Sequence, residues 1–220
     1  MKVFSKLFVF VFGMVLLMNS IAFGEENKYA DSLYEIGIIY GTDKGFEEER
    51  TLTRAEAAAV VVRLLGEEDN IKNYNFKQKF TDVPENHWAF DYIMYCESYN
   101  ITYGTGENTF SPDSEIDARQ FLALILRTMG YSVAFEDTFN ASVECKLLNS
   151  SVKSKLENKE FTRGDMFYIV YRALKTYRKD NVLMAYYLAE KGAISEKQAK
   201  EFDVYENFDN IDELIDGIMN

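Results

Sequence analysis

The chain has 220 residues, with 36 acidic against 24 basic side chains, a formal charge of −12 at pH 7, one histidine and two cysteines. That balance argues against a general affinity for nucleic acid, which needs a basic surface to displace phosphate counterions. It also disfavours non-specific adhesion to other anionic surfaces, so an anionic ligand has to be met at a local pocket.

Residues 1–24 read as a secretion signal. Lys2 and Lys6 precede an apolar run from Leu7 to Met18, and Ala22-Phe23-Gly24 has the form of a small-x-small cleavage site. The run is short for a membrane span, which takes about 20 apolar residues; an uncleaved anchor is the rival reading. Without Lys2 and Lys6 the mature chain carries about −14, and no membrane contact is expected after cleavage.

From Tyr29 to Gly66 the pattern predicts a helix, a loop and a second helix. Glu67 to Lys79 reads as a polar connector. Phe80 to Tyr131 is the fullest version of the same unit, opening on Phe80-Thr81-Asp82-Val83-Pro84 with Pro84 fixing a turn. About Phe135 to Lys175 lies a third version, its opening Phe135-Glu136-Asp137 echoing Phe80-Thr81-Asp82. Residues 25–178 are thus expected to form the repeat domain and 179–220 a C-terminal helical extension. In the latter, Leu188 to Ile194 resembles the end of a first helix, Ser195 with Gln198 suits a capping box, and Ile211 to Asp216 is acidic and amphipathic.

The three units are marked by one stretch in altered form: Leu52-Thr53-Arg54-Ala55-Glu56, Ile116-Asp117-Ala118-Arg119-Gln120 and Phe161-Thr162-Arg163-Gly164-Asp165. In each, an N-cap residue is followed three positions later by Glu56, Gln120 or Asp165, which is capping-box chemistry with Asp165 as a shorter stand-in. Offsets of seven, eight and twelve from the cap place Val60, Val61 and Leu65, then Leu124, Ile125 and Met129, then Ile169, Val170 and Leu174 on one apolar face. At offset ten stand Arg63, Arg127 and Arg172, cations that complement the helix C-terminal dipole. Gly66 and Gly130 supply stops.

For the first helices, Leu33 to Ile38 aligns with Cys96 to Ile101 and with Cys145 to Ser150, which makes Gly37, Asn100 and Asn149 left-handed helix ends. On that alignment the third loop is shorter and lacks the aromatic that Phe46 and Phe110 provide. Cys96 and Cys145 also become equivalent core positions. Their bond would stabilise by roughly 4 kcal/mol in the chain-entropy model; the alternative is two buried thiols.

The triplicated cap, together with Phe80-x-Asp82-Val83-Pro84-x-x-His87-Trp88-Ala89 and the following Gly104, Phe110 and Pro112, resembles the S-layer homology family of Gram-positive and related cell envelopes. The resemblance covers roughly residues 29 to 175, with the first and third copies degenerate. It implies an all-α fold of three helix-loop-helix repeats around a pseudo-three-fold axis, with grooves at the starts of the second helices. It further implies noncovalent attachment to secondary cell-wall polysaccharide, commonly pyruvylated, on peptidoglycan at a bacterial surface. The family's arginine maps onto Arg54 and Arg163; in the second copy Ala118 stands there and Arg119 one residue later.

The residues support the same assignment independently. An arginine at a first helical position faces the positive end of the dipole at a cost of a few tenths to about 1 kcal/mol. A helix start with a guanidinium fork instead suits a carboxylate such as a pyruvate ketal. The competing reading is that Arg54 and Arg163 pair with Glu56, Asp165 or Asp137 and only tie repeats together. Trp88 either stacks on sugar or plugs the space between repeats. Asp82, Tyr103 and Gly104 complete the expected ligand-binding set, with Asp82 also suited to capping the turn and Tyr103 to packing. His87 has no metal-ligand cluster around it, and no nucleophile elbow, phosphate loop or zinc spacing marks an enzyme or a cofactor site. The expected function is a secreted, non-catalytic wall-binding module; the alternative is a degenerate repeat protein serving as a surface protein-protein scaffold without carbohydrate binding.

Overall fold

The computed structural model describes residues 28–203, so the secretion-signal reading and the Ile211–Asp216 stretch lie outside the described residues. Within them the chain is all-α, with isolated bridges in place of sheet. The helices are α1 (Lys28–Glu35), α2 (Arg54–Leu64), α3 (Glu68–Ile71), α4 (Phe90–Ser98), α5 (Ala118–Thr128), α6 (Thr138–Glu144), α7 (Ser150–Leu156), α8 (Arg163–Leu174), α9 (Met184–Glu190) and α10 (Glu196–Phe202), with a 3-10 turn at Phe135–Asp137.

The three long helices α2, α5 and α8 begin where the cap stretches place them. Thr53 accepts from the Glu56 amide and Glu56 returns a bond to the Thr53 amide, and Thr162 with Asp165 makes the same reciprocal pair despite the shorter acid. The second copy completes only half. Asp117 accepts from the Gln120 amide, but the Gln120 side-chain oxygen is taken by Arg54 from the first copy. Gly66 and Gly130 end α2 and α5 at φ 70° and 87°.

The first helices pack across units. α4 lies on α2, α6 on α5 and α1 on α8, so each first helix covers the second helix of the preceding copy and the last covering closes back to the first. The core is built from the apolar faces expected, with Leu33, Leu52, Val61, Ile93, Phe121, Ile125, Ile169 and Val170 fully buried or nearly so. Burying each such side chain contributes about 1.5–3 kcal/mol.

The third copy's alignment is corrected by three residues. In the first copy the Ile38 and Ile39 amides donate to the Leu33 carbonyl, and in the second Ile101 and Thr102 donate to Cys96. The Leu148 amide donates to Ser142, and the left-handed residue is Lys146 at φ 64°. Asn149 is instead the N-cap of α7, with its side chain accepting from the Val152 amide. Ser142 to Thr162 spans the same length as Leu33 to Thr53, so the third loop is not short. Its middle folds into α7, and Leu156 is that helix's buried residue.

The disulfide considered for Cys96 and Cys145 is not formed, and both are free thiols. Cys96 is sealed between α4 and α2, its thiol facing the Ala58 carbonyl at 3.9 Å. Cys145 sits three residues past the equivalent point, at the end of α6, and donates to Ser142.

The extension packs tightly. The Ser195–Gln198 capping box starts α10, and Ala193 donates back to Leu188 in the manner of a first-helix end. A Cβ at Gly66 would meet Ala193 at 2.9 Å, the Lys179 amide donates to Met129, and Arg178 reaches the Thr128 carbonyl at 3.3 Å. The extension therefore lies against the C-terminal ends of α2 and α5.

Candidate functional site: two arginine clasps and the cavity beside one of them

Arg54 and Arg163 make the same contact in two places. The amides of Arg54 and Ala55 donate to the Ser114 and Pro112 carbonyls of the second loop, and those of Arg163 and Gly164 donate to the Arg50 and Glu48 carbonyls of the first. The orphan donors of each helix start are thus satisfied by a neighbouring unit's loop. Each arginine then donates its Nε to the loop aromatic's carbonyl: Arg54 to Phe110 at 2.7 Å, Arg163 to Phe46 at 2.8 Å. The residues after those aromatics, Ser111 and Glu47, are held left-handed at φ 57° and 50°, which sets the orientation of the peptide that receives the bond.

Both guanidinium groups are buried, 7% and 6% exposed. Burial pushes each below its ordinary arginine value, opposed by Asp117 and Asp82 around Arg54 and by Glu56 beside Arg163. The tie between units is therefore made, but chiefly through carbonyls. Arg54 gives its second bond to the neutral Gln120 at 2.9 Å and stacks on Phe110 at 4.6 Å. Arg163 adds a bond to the Tyr40 carbonyl at 3.2 Å and stands 3.8 Å from Glu56. Asp165, named as a partner for the arginines, is held by Lys159 at 2.7 Å.

Beside Arg163 opens a cavity of about 180 Å³, with Tyr40, Gly41, Arg63, Glu56 and Trp88 among its walls. Trp88 is 58% exposed, so it does not serve as a core plug. It comes from the second copy, and His87 stacks beside it at 5.9 Å. The residues expected to act together are thus divided: Trp88 accompanies Arg163, whereas Tyr103 and Gly104 belong to the loop that Arg54 clasps and Asp82, from the segment before α4, braces that loop.

Asp82 is a loop support. Its carboxylate accepts from the Phe110 amide and from Ser111 at 2.7 Å. Gly104 is required by the backbone, since at φ 80° an added Cβ would meet the Thr109 carbonyl at 2.3 Å and Phe80 at 2.7 Å. Tyr103 is 65% exposed and lies beneath the Arg127 guanidinium at 4.8 Å. Arg119 bonds the Glu136 carbonyl at 2.6 Å and sits over Phe139, while Ala118 is buried.

Two contributors to the cavity region lie outside the set expected from the sequence. Arg63 stacks on Tyr40 at 4.4 Å and donates to Glu68 at 2.7 Å. Glu68, from the apparent connector, also accepts from Tyr92 at 2.6 Å and Tyr40 at 3.1 Å. Burial alone would raise the Glu68 carboxyl, but the bonds from Tyr92 and Arg63 outweigh it and hold it below its usual range. Burial, with the same bond, pushes Tyr92 up to about 12. The recurrence of arginine at offset ten was the available signal; the dipole accounts for its charge, and the stacking on Tyr40 and Tyr103 shows a second use.

Residues 79–120 match the family model of the S-layer homology domain. The chain is similar to the middle cell wall protein of Brevibacillus brevis, 28% identical over 151 residues that cover 67% of this chain and 14% of that protein. It is also similar to a cell surface protein of Thermoanaerobacter kivui, 32% identical over 60% of this chain and 19% of the relative. With the cellulosome-anchoring protein of Acetivibrio thermocellus it shares 37% identity over 34% of this chain and 17% of that one. The chain thus spans less than a fifth of the length of each of these relatives. The matched segment contains Asp82, Trp88, Gly104 and the Asp117 cap, and it is this segment that carries the likeness to the S-layer homology domain.

Proposed function

We propose that this chain is a non-catalytic anchoring module of the bacterial cell surface that holds noncovalently to anionic, pyruvylated secondary cell-wall polysaccharide. The observation that carries the reading is the cavity at Arg163, where a buried cation, a second arginine and the exposed ring of Trp88 face one space. An aromatic face accepts the apolar side of a sugar ring, and a desolvated guanidinium favours a carboxylate over a neutral group. Relatives named as wall, surface and anchoring proteins support the cellular setting. Arg54 serves as the clasp of the second loop and as a weaker ligand contact, since Phe110 and Gln120 already engage it.

The test is sedimentation with purified cell walls before and after the secondary polymer is stripped. Wild type is expected to pellet only with unstripped walls, and Trp88→Ala to weaken retention about tenfold, about 1.4 kcal/mol, with an unchanged helical spectrum. Equal pelleting on stripped walls, or full retention by Trp88→Ala, would defeat the reading.

The alternative of a surface scaffold is favoured by one observation, that both arginines already serve contacts between units. Cross-linking on intact cells that yields a defined protein partner, with no retention on protein-free walls, would select it.

A further inference from the structure

A second cavity of about 740 Å³ lies where the third unit meets the C-terminal extension. Part of its wall is apolar, made by the buried side chains of Leu148, Leu183 and Phe202. Among the described residues its lining also holds five cations, Lys146, Arg172, Lys175, Arg178 and Lys179, against the carboxylates of Glu144 and Asp203. That is a local excess of positive charge in a chain whose formal charge is −12. Some of these groups are engaged nearby: Arg178 pairs with Asp180 at 3.1 Å, and Asp203 accepts from the Tyr186 hydroxyl at 2.9 Å. Lys146 and Lys179 are the exposed cations of the lining.

Lys146 stands there against a local preference. It occupies, at φ 64°, the left-handed position filled by Gly37 and Asn100 in the other units, where a lysine is strained and a glycine is not. What the lysine adds at that turn is charge beside the cavity.

The described residues end at Asp203, itself part of the lining. The sequence that follows at once, Val204 to Asn220, carries Glu206, Asp209, Asp212, Glu213 and Asp216 and no lysine or arginine. Phe208, Ile211, Leu214, Ile215 and Ile218 are interspersed with those acids. A cationic, partly apolar cavity is thus continued in the chain by a segment of opposite charge with apolar side chains of its own. Because the segment starts at the cavity wall, its effective concentration there is of millimolar order, and a free anion has to compete with it.

We propose that this cavity is the docking site of the chain's own acidic segment, residues 204–220, which sets its carboxylates on Lys146 and Lys179 and its apolar side chains on the wall of Leu148, Leu183 and Phe202. The contact ties α10, from which the segment leads, to the end of α6, beside which Lys146 stands. Exposed ion pairs are weak one by one, so the seat depends on their number, on the apolar contacts and on ionic strength.

Two measurements on the mature chain test this. At low salt a water-soluble carbodiimide, which condenses a lysine amine with a carboxylate into an amide and is itself hydrated to its urea, is expected to give monomers with Lys146 or Lys179 joined to an acid between Glu206 and Asp216. The free thiol of Cys145 lines the cavity and reports whether it is covered, whereas Cys96 is sealed in the core. Alkylation of Cys145 by the neutral reagent N-ethylmaleimide is expected to be at least tenfold slower in wild type than in the variant combining Glu206→Gln, Asp209→Asn, Asp212→Asn, Glu213→Gln and Asp216→Asn. Lys146→Glu with Lys179→Glu should speed it likewise, and added salt should speed the wild type alone. Equal alkylation rates or the lack of these cross-links overturns the proposal. Cross-links confined to dimers overturn it too, by giving the cavity to a second copy's segment. The cross-link is read on wild type, so a variant that fails to fold does not shield the proposal. Neither measurement involves cell walls or Trp88, so wall attachment is tested separately.

Discussion

The Arg163 and Arg54 clasps share a backbone plan and differ in their surroundings. In both, a helix start donates two amides to a neighbouring loop and an arginine Nε bonds the carbonyl of a buried or half-buried phenylalanine. Around Arg163 the third partner is Glu56, itself held by Arg50 at 2.6 Å, and the space beyond opens between Tyr40 and Trp88. Around Arg54 it is the neutral Gln120, and the clasped loop is braced by Asp82 and by the close fit of Gly104. A cap motif therefore makes the joint, while residues from other units decide whether a ligand can use it.

The largest difference between the loops is expected at their glycines. Gly104→Ala should cost about 3 to 5 kcal/mol, because the added carbon meets backbone and Phe80 and the conformation is left-handed. Gly41→Ala, whose nearest neighbour is 3.4 Å away and whose φ is not positive, should stay within about 1 kcal/mol. Equal thermal shifts for the two would erase the distinction.

The arginines come next. Arg54→Met leaves the Phe110 carbonyl without its side-chain donor, and Arg163→Met does the same at Phe46, each at about 1 to 3 kcal/mol in denaturant unfolding. Added salt should shrink the Arg163 effect more, because among the described residues only that clasp includes an ion pair. A salt response of equal size at both would show that the partner's charge does not matter.

The smallest effect is in pH. Burial alone would raise Glu56, but Arg50, the Thr53 amide and Arg163 outweigh it and hold its carboxyl below the usual value. A depressed folded pKa means that this stabilisation is present at neutral pH and is lost as pH falls below about 4.3 and through the folded value. Glu56→Gln should flatten the acid limb of the stability curve. Part of the slope should remain, since Glu67 and Glu68 are depressed in the same way. An unaltered slope would remove Glu56 from the account.

Much of this was legible in the chain itself. Helix starts, apolar faces and glycine stops are set by neighbours within one turn, so Thr53, Asp117, Thr162, Gly66 and Gly130 announce themselves. The third unit's first helix was the failure. Asn149 is a good left-handed residue and an equally good N-cap, and only the bond from Leu148 to Ser142 shows that Lys146 takes the turn. The misplaced register made the third loop look short and the two cysteines look equivalent.

The sequence by itself determined an all-α chain with its helix caps, its glycine stops and an acidic balance, because each follows from local hydrogen bonding, side-chain periodicity or simple charge count. Tertiary structure alone decided that Trp88 stands with Arg163 and apart from Arg54, that Gln120 leaves its own cap to hold Arg54, and that Glu68 gathers Tyr40, Tyr92 and Arg63. Apart from Arg63 with Glu68, those pairings join residues more than 20 positions apart in the chain, and they are fixed by how the helices pack across units, which no local preference encodes.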